Sequence, residues 1–273
     1  MRGRIGDYAI ERELPAAGPA AVFHATHVLL PRRAIVRVLR PPFATVRPAA
    51  VELMREACLI EALRHPGVPR VYECGRLGEQ PWIACEHVEG EHLADTLDSR
   101  CLRIDEVIAL VRDVAGILAH AHTRGIVHRN LRPEAIVRGD GKRGFPLCLV
   151  DWSSARVADD GSGAVLARGA IAHLALAGEL PGPEQPLAGP PRVVALIQAM
   201  LAPEAAARPT AARVAAEATR LAAPELEELD PVDVEEIHLP PPIPTRVKWT
   251  PPHGVTAAPD VRGIAIGTIK RRP

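Results

Sequence analysis

At Gly90 the apolar period of this chain changes, and that switch constrains the fold more than any single residue. Before it, from Tyr8 to about Val88, short strand-like runs at Ala34 to Leu39, Arg70 to Cys74 and Trp82 to Cys85 surround one helical stretch, Ala49 to Arg64. After it, Val107, Leu110, Val111, Val114, Leu118 and Ala121 recur at three- and four-residue steps. Such a stripe predicts a helix with one buried face, ending near Gly125, a residue suited to a C-cap. Short strands are expected at Ile126 to His128, Ala135 to Arg138 and Leu147 to Val150, the last two joined through the turn-forming Gly139-Asp140-Gly141 region. Helices are expected at Ala164 to Ala177, Arg192 to Leu201 and Ala211 to Ala222, with Thr210 as N-cap of the last. Strands first and helices second predict an α+β chain of two unequal lobes, residues 1–88 and 89–223. Residues 224–273 are acidic from Glu225 to Glu236 and then rich in proline, with no periodic apolar face, and they read as a flexible tail.

Charge excludes some function classes. The 33 basic and 33 acidic residues balance, so nothing in the composition supplies the cationic footprint that nucleic acid or an anionic membrane requires. Cysteines stand at 58, 74, 85, 101 and 148, an odd number with no C-x-x-C pair, and they are expected to be reduced, mostly buried thiols. Met1 to Arg12 has no uninterrupted apolar stretch, and Ala164 to Ala177 is broken by Arg168 and His173, so no signal peptide or membrane insertion is expected and a cytoplasmic location is. Lysine occurs only at 142, 248 and 270.

The segment Ile126-Val127-His128-Arg129-Asn130-Leu131-Arg132-Pro133-Glu134-Ala135-Ile136, followed by Leu149-Val150-Asp151-Trp152-Ser153, resembles the catalytic loop and metal-binding turn of the protein kinase family. Other pieces agree in order: Ala34 to Leu39 resembles the third strand, Arg55-Glu56-Ala57 the regulatory helix, Cys85 to Gly90 the hinge, and Ala207-Arg208-Pro209 a late helix start. The resemblance covers roughly Tyr8 to Ala222 and is nearest the bacterial serine/threonine branch. It implies a two-lobed kinase-like fold: a small antiparallel-sheet N-lobe with one helix, a mainly helical C-lobe, and an activation segment truncated between Asp151 and Ala164.

The same resemblance implies ATP and magnesium, and it assigns positions to the residues that would hold them. Arg37 would stand at the phosphate-pairing position, with Glu56 able to pair with it and link strand to helix, and the backbone of Cys85 to Val88, Glu86 and Val88 included, would face the adenine. Asp151 and Ala135 would occupy the two metal-ligand positions, while Asn130 and Arg132 would occupy those of the catalytic aspartate and its neighbouring lysine. Phosphoryl transfer needs positioned charge at each of these places. Arg37 has a bulkier, planar cation than the family's lysine, and no lysine precedes position 142 to replace it. Asn130 takes no proton, and Ala135 offers no side-chain oxygen. The glycine-rich cover reduces to Pro15-Ala16-Ala17-Gly18-Pro19-Ala20-Ala21, which reads as an ordinary strand-turn-strand. Asp151 has two readings at this point, a magnesium contact or a structural carboxylate near the turn. His128 is expected to be a packing residue, and Arg129 and Arg208 structural or solvated.

These losses favour a catalytically impaired pseudokinase acting as a binding or regulatory module, with no cofactor, holding protein partners through its kinase-like surface or its proline-rich tail. A weakly active ATP-dependent serine/threonine kinase is the alternative.

Overall fold

In this computed structural model, residues 3–16, 18–139, 143–157, 162–181 and 187–223 are described, with side chains omitted for 162–168. The tail assigned to 224–273 and the turn residues 140–142 lie outside them.

The N-lobe is a six-stranded antiparallel sheet in the order β1-β2-β3-β4-β6-β5. Its strands are β1 (Arg4–Ile5), β2 (Tyr8–Leu14), β3 (Ala20–His27), β4 (Arg33–Leu39), β5 (Val71–Leu77) and β6 (Gln80–Glu86). Period-two alternation sorts β4 and β6 into two faces. Ala34, Val36, Val38, Trp82 and Ala84 pack with Ile5 and Tyr8 on the outer face. Ile83 and Cys85 join the main core on the inner face, and Arg37, opposite Ile83 in register, is carried there with them.

One long helix was expected here, and the structure places a short turn before it. A four-residue α1 (Pro41–Ala44) precedes α2 (Arg47–Leu63). Pro48 suits the first turn of α2, where an N–H has no intrahelical partner. Leu53, Glu56, Ala57, Ile60 and Leu63 form its buried stripe, and the helix stops at Arg64 in left-handed conformation.

The C-lobe is built on α4 (Ile104–His122), which packs along α7 (Ala211–Ala222) and α5 (Ser162–Ala177), with α6 (Pro191–Met200) beside them. The helix with the predicted stripe ends at His122, and Gly125 turns with φ 66° into β8 (Ile126–Val127). Thr210 caps α7 as expected, accepting from the Arg213 amide at 3.2 Å. Three elements of the C-lobe escaped the sequence reading: β7 (Glu91–His92), α3 (Leu93–Ser99) and β11 (Arg156–Val157). Strand β7 pairs with β9 (Ile136–Arg138), which pairs in turn with β10 (Leu147–Leu149); β11 (Arg156–Val157) pairs with β8.

The thiol expectation needs correction. Only Cys85 and Cys148 are buried, while Cys58, Cys74 and Cys101 are exposed. Cys58 lies off the buried stripe of α2, Cys74 is on the edge strand β5, and Cys101 follows α3, so none of the three faces the core. Among the described residues no helix is long and apolar enough to cross a membrane.

Candidate functional site

The candidate site forms where four segments meet: the inner face of β4, the middle of α2, the loop between β8 and β9, and the turn after β10. The loop is shaped by His128, which is fully buried as its packing role requires. Its ring meets Trp152 edge-on at 4.5 Å, its Nε2 lies 3.2 Å from the Val150 carbonyl, and its Nδ1 accepts the Asn130 amide at 3.3 Å. Burial holds its pKa below the usual histidine range. Bending the chain back within two residues leaves Arg129 at φ 64°, a left-handed conformation that a branched or long side chain adopts only when its surroundings impose it. Arg129 itself is exposed, and Arg208 is structural, donating to the Ala202 and Pro203 carbonyls at 2.8 Å.

Asp151 is the hub. It too is left-handed, at φ 59°, where Asp is better tolerated than most residues. Its Oδ2 accepts from Arg132 at 2.5 Å and from the Asn130 side-chain amide at 3.2 Å. Its Oδ1 accepts from the Ser153 hydroxyl at 2.7 Å and lies 3.6 Å from the Arg37 guanidinium. Burial alone would raise this carboxyl. The Ser153 hydroxyl, Arg37 and Arg132 together outweigh it and bring it below the ordinary aspartate value.

Arg37 also donates to Glu56 at 2.8 Å, so strand β4, helix α2 and the turn after β10 share one charge cluster. Glu56 is 6% exposed, and burial raises its carboxyl, against the pull of Arg37. Arg132 reaches Glu134 as well, at 3.6 Å.

The other assigned residues divide. Ala135 is fully buried on the turn before β9, and its carbonyl accepts the Val150 amide at 2.8 Å. Glu86 and Val88 lie at the hinge, away from the charge cluster. The Glu86 carboxylate is held by Arg143 and by the Arg70 amide, and Val88 packs with Val137, Cys148 and Val150. Burial pushes the neighbouring Cys85 thiol up to about 12, so it is no nucleophile. At the start of β3, the Pro19 carbonyl accepts from the Arg40 amide at 2.9 Å, which extends the β3–β4 ladder by one step.

Two residues that matter here had no signal in the sequence. Ser153 supplies a hydroxyl where the family has glycine, and its bond to Asp151 depends on the local turn. Arg143 follows the β9–β10 turn and donates to the Pro66 carbonyl at 3.0 Å and the Val68 carbonyl at 2.8 Å, as well as to Glu86. It thereby ties the C-lobe to the loop after α2 across 75 to 77 sequence positions.

Magnesium needs hard oxygen ligands with free lone pairs. The residues present do not fit it: both Asp151 oxygens are taken by donors, two of them cationic, and Ala135 has no side-chain oxygen. Among the described residues no group of three or more His, Cys, Asp or Glu could hold a metal ion. Arg37 Nε is buried and has no acceptor in the structure.

The fold has counterparts among known proteins. The protein kinase domain family matches residues 43–175, a span that begins after β4 and so excludes Arg37 and the glycine-poor hairpin. Serine/threonine-protein kinase pkn2 of Myxococcus xanthus is 31% identical over 154 residues, 56% of this chain and 19% of that protein. Serine/threonine-protein kinase PknJ of Mycobacterium tuberculosis is 29% identical over 165 residues, 59% of this chain and 28% of that protein. The chain thus spans 19% to 28% of the length of these curated relatives. The crystal structure of the Mycobacterium tuberculosis PknI kinase domain superposes with a TM-score of 0.64 at 25% identity, over 80% of this chain and 98% of that one.

Proposed function

We propose, from the premise that this chain belongs to the bacterial protein kinase-like family, that it is a catalytically impaired member that works by binding rather than by transferring phosphate. The observation that carries this reading is the occupancy of Asp151. A carboxylate that anchors magnesium must turn lone pairs toward the cleft, and this one turns them to Arg132, Asn130, Ser153 and Arg37. Asn130 adds to the effect, since an amide that donates to Asp151 is neither a base nor aimed at an acceptor hydroxyl. Kinase relatives use ATP and magnesium, and the supporting argument for a departure from them is electrostatic: each replacement removes a separate stabilising charge from the transition state. The function that remains is holding a protein partner, through the kinase-like surface or the proline-rich tail.

One observation favours the alternative, a weakly active kinase. The link from β4 to α2 is intact as Arg37–Glu56 at 2.8 Å. The two readings separate on incubation of the purified chain with γ-labelled ATP, magnesium and a generic serine/threonine acceptor. The binding reading expects no label above the level of an Asp151→Ala control. Label that appears on chain or acceptor and vanishes with Asp151→Ala would establish transfer and end that reading.

A further inference from the structure

We infer that the cavity between the end of α2 and the start of β5 docks a segment of a protein partner that carries carboxylates around an apolar side chain. None of the residues lining this cavity belongs to the Asp151 cluster. In giving the partner a chemistry, the inference rests on the binding reading above.

The cavity measures about 410 Å³. Its floor is apolar, made by Ile60 of α2, Val68 and Pro69 of the following loop, and Val71 of β5. Arg143 closes one wall. Its guanidinium is already committed to the Pro66 and Val68 carbonyls and to Glu86, so it fixes the loop and leaves binding to others. Three donors remain. The Arg70 guanidinium lines the cavity and has no hydrogen bond or ion pair among the described residues; only its backbone amide is used, by Glu86. His65 accepts the Gly67 amide at Nδ1, at 2.9 Å, which places its proton on Nε2, and that N–H has no acceptor among the described residues. Arg64 is held by Glu61 alone, at 3.3 Å, with both side chains more than half exposed, a pairing weak enough for a partner's carboxylate to replace.

The balance of charge favours an anion. Glu61 offsets Arg64 and Glu86 offsets Arg143, which leaves Arg70, and Arg124 beside His65, without a carboxylate. Burial, His120 and Arg124 hold the His65 pKa below the usual histidine range, so near pH 7 the ring is a neutral donor. The arrangement also speaks for a chain rather than a compact anion. Arg64, His65 and Arg70 stand at the end of a helix, in a loop and just before a strand, around an apolar floor. Several carboxylates spaced along a peptide can meet them while an apolar side chain fills the floor, and an apolar centre with a polar rim carrying arginine is the usual anatomy of a protein interface.

The test is a fluorescence-anisotropy titration of the full chain against a blocked, labelled hexapeptide of sequence Glu-Glu-Leu-Leu-Glu-Glu, in about 50 mM salt. The expected Kd lies below about 1 mM, and glutamine in place of every glutamate, or serine in place of both leucines, weakens it about fivefold or more. Arg70→Glu is expected to weaken the parent peptide about tenfold or more and Arg64→Gln about threefold, while exposed Arg220→Gln, on α7, leaves it within about twofold. Should Arg70→Glu fail to fold, Arg70→Gln replaces it, with a loss of about threefold expected. A Kd above about 1 mM, the same Kd in the Arg70 variant, or a glutamine peptide that binds equally well overturns the inference. Inorganic phosphate that displaces the peptide when chloride of equal ionic strength does not would assign the cavity to a compact anion, and phosphatidylglycerol vesicles that displace it when phosphatidylcholine vesicles do not would assign it to a lipid surface; either result overturns the inference. Transfer of label in the earlier assay refutes the non-catalytic reading whatever the peptide does, and a peptide that fails to bind refutes this inference whatever the transfer assay shows.

Discussion

Removing Arg37 should reveal how much the structure depends on its charge cluster. In Arg37→Met, Glu56 keeps its place, 6% exposed, and loses the partner 2.8 Å away, while Asp151 loses a cation at 3.6 Å. At an effective dielectric of about 20, the Arg37–Glu56 attraction is about 6 kcal/mol, most of it offset by the cost of taking both ions out of water. What the single variant exposes is that uncompensated desolvation, which for buried pairs is about 3 to 5 kcal/mol, and Met restores the packing of the stem. The double variant Arg37→Met/Glu56→Leu removes both charges and should lie within about 1 kcal/mol of the parent, giving a coupling of about 2 kcal/mol or more. Urea unfolding followed by tryptophan fluorescence reads both, since Trp82 and Trp152 are buried. The effect also has a pH signature. Glu56 has its folded pKa raised above 4.5, so its contribution to stability is full below 4.5 and is lost as pH rises through the folded value. Without Arg37 that value rises further, so the deficit of the single variant should be largest near pH 7 and should close as pH falls to about 4.5. A single-variant loss under about 1 kcal/mol, or a double variant as unstable as the sum of the two singles, would refute a coupled buried pair.

Two other perturbations follow from the geometry. At the hinge, Gly90 has φ 154°, and a Cβ there would meet the Arg138 carbonyl oxygen at 2.0 Å, so Gly90→Ala should cost about 3 kcal/mol or more and lower Tm by roughly 6 to 12 °C; helical Gly116, with open space around its Cα, should instead gain about 0.5 to 1 kcal/mol as Gly116→Ala. Glu106 is bound by Arg100 through two bonds, at 2.7 and 2.8 Å, and accepts the Arg103 amide, which brings its carboxyl down to about 2. Its folded pKa is depressed, so its contribution is present above 4.5 and is lost as pH falls towards about 2; urea melts from pH 5 to 2 should show that slope in the parent and a flatter one in Glu106→Gln.

The sequence carried the large features because periodicity is a local signal. The stripe from Val107 to Ala121 gave α4, and Thr210 before an alanine-rich run gave the start of α7, since capping and amphipathicity act within a few residues. Helix α3 escaped because its seven residues, Leu93 to Ser99, bury only Leu93 and Thr96, too few for a visible period. In the site, the Arg37–Glu56 link was legible because both residues fell on recognisable segments. Arg143 was not, because its partners Pro66, Val68 and Glu86 become neighbours only when the β9–β10 turn folds against the loop after α2. The thiols were misjudged for a similar reason: burial of Cys58 depends on which face of α2 is turned to the core, and composition says nothing about that.

The replacements around Asp151 form one consistent set. In the family, position 130 is an aspartate, and here the side chain at that position lies 3.2 Å from Asp151 Oδ2. Two carboxylates at that distance repel unless a metal or a second cation lies between them, and asparagine turns the same contact into a hydrogen bond. Arg132 in place of lysine then brings a planar fork that reaches both Asp151 and Glu134, which a single ammonium would do less well. Ala135 is packed with no solvent exposure while its carbonyl is used by Val150. Each substitution alone would leave a charge or a lone pair without a partner in a partly buried place. Together they leave both Asp151 oxygens engaged, by Arg132 and Asn130 on one side and by Ser153 and Arg37 on the other.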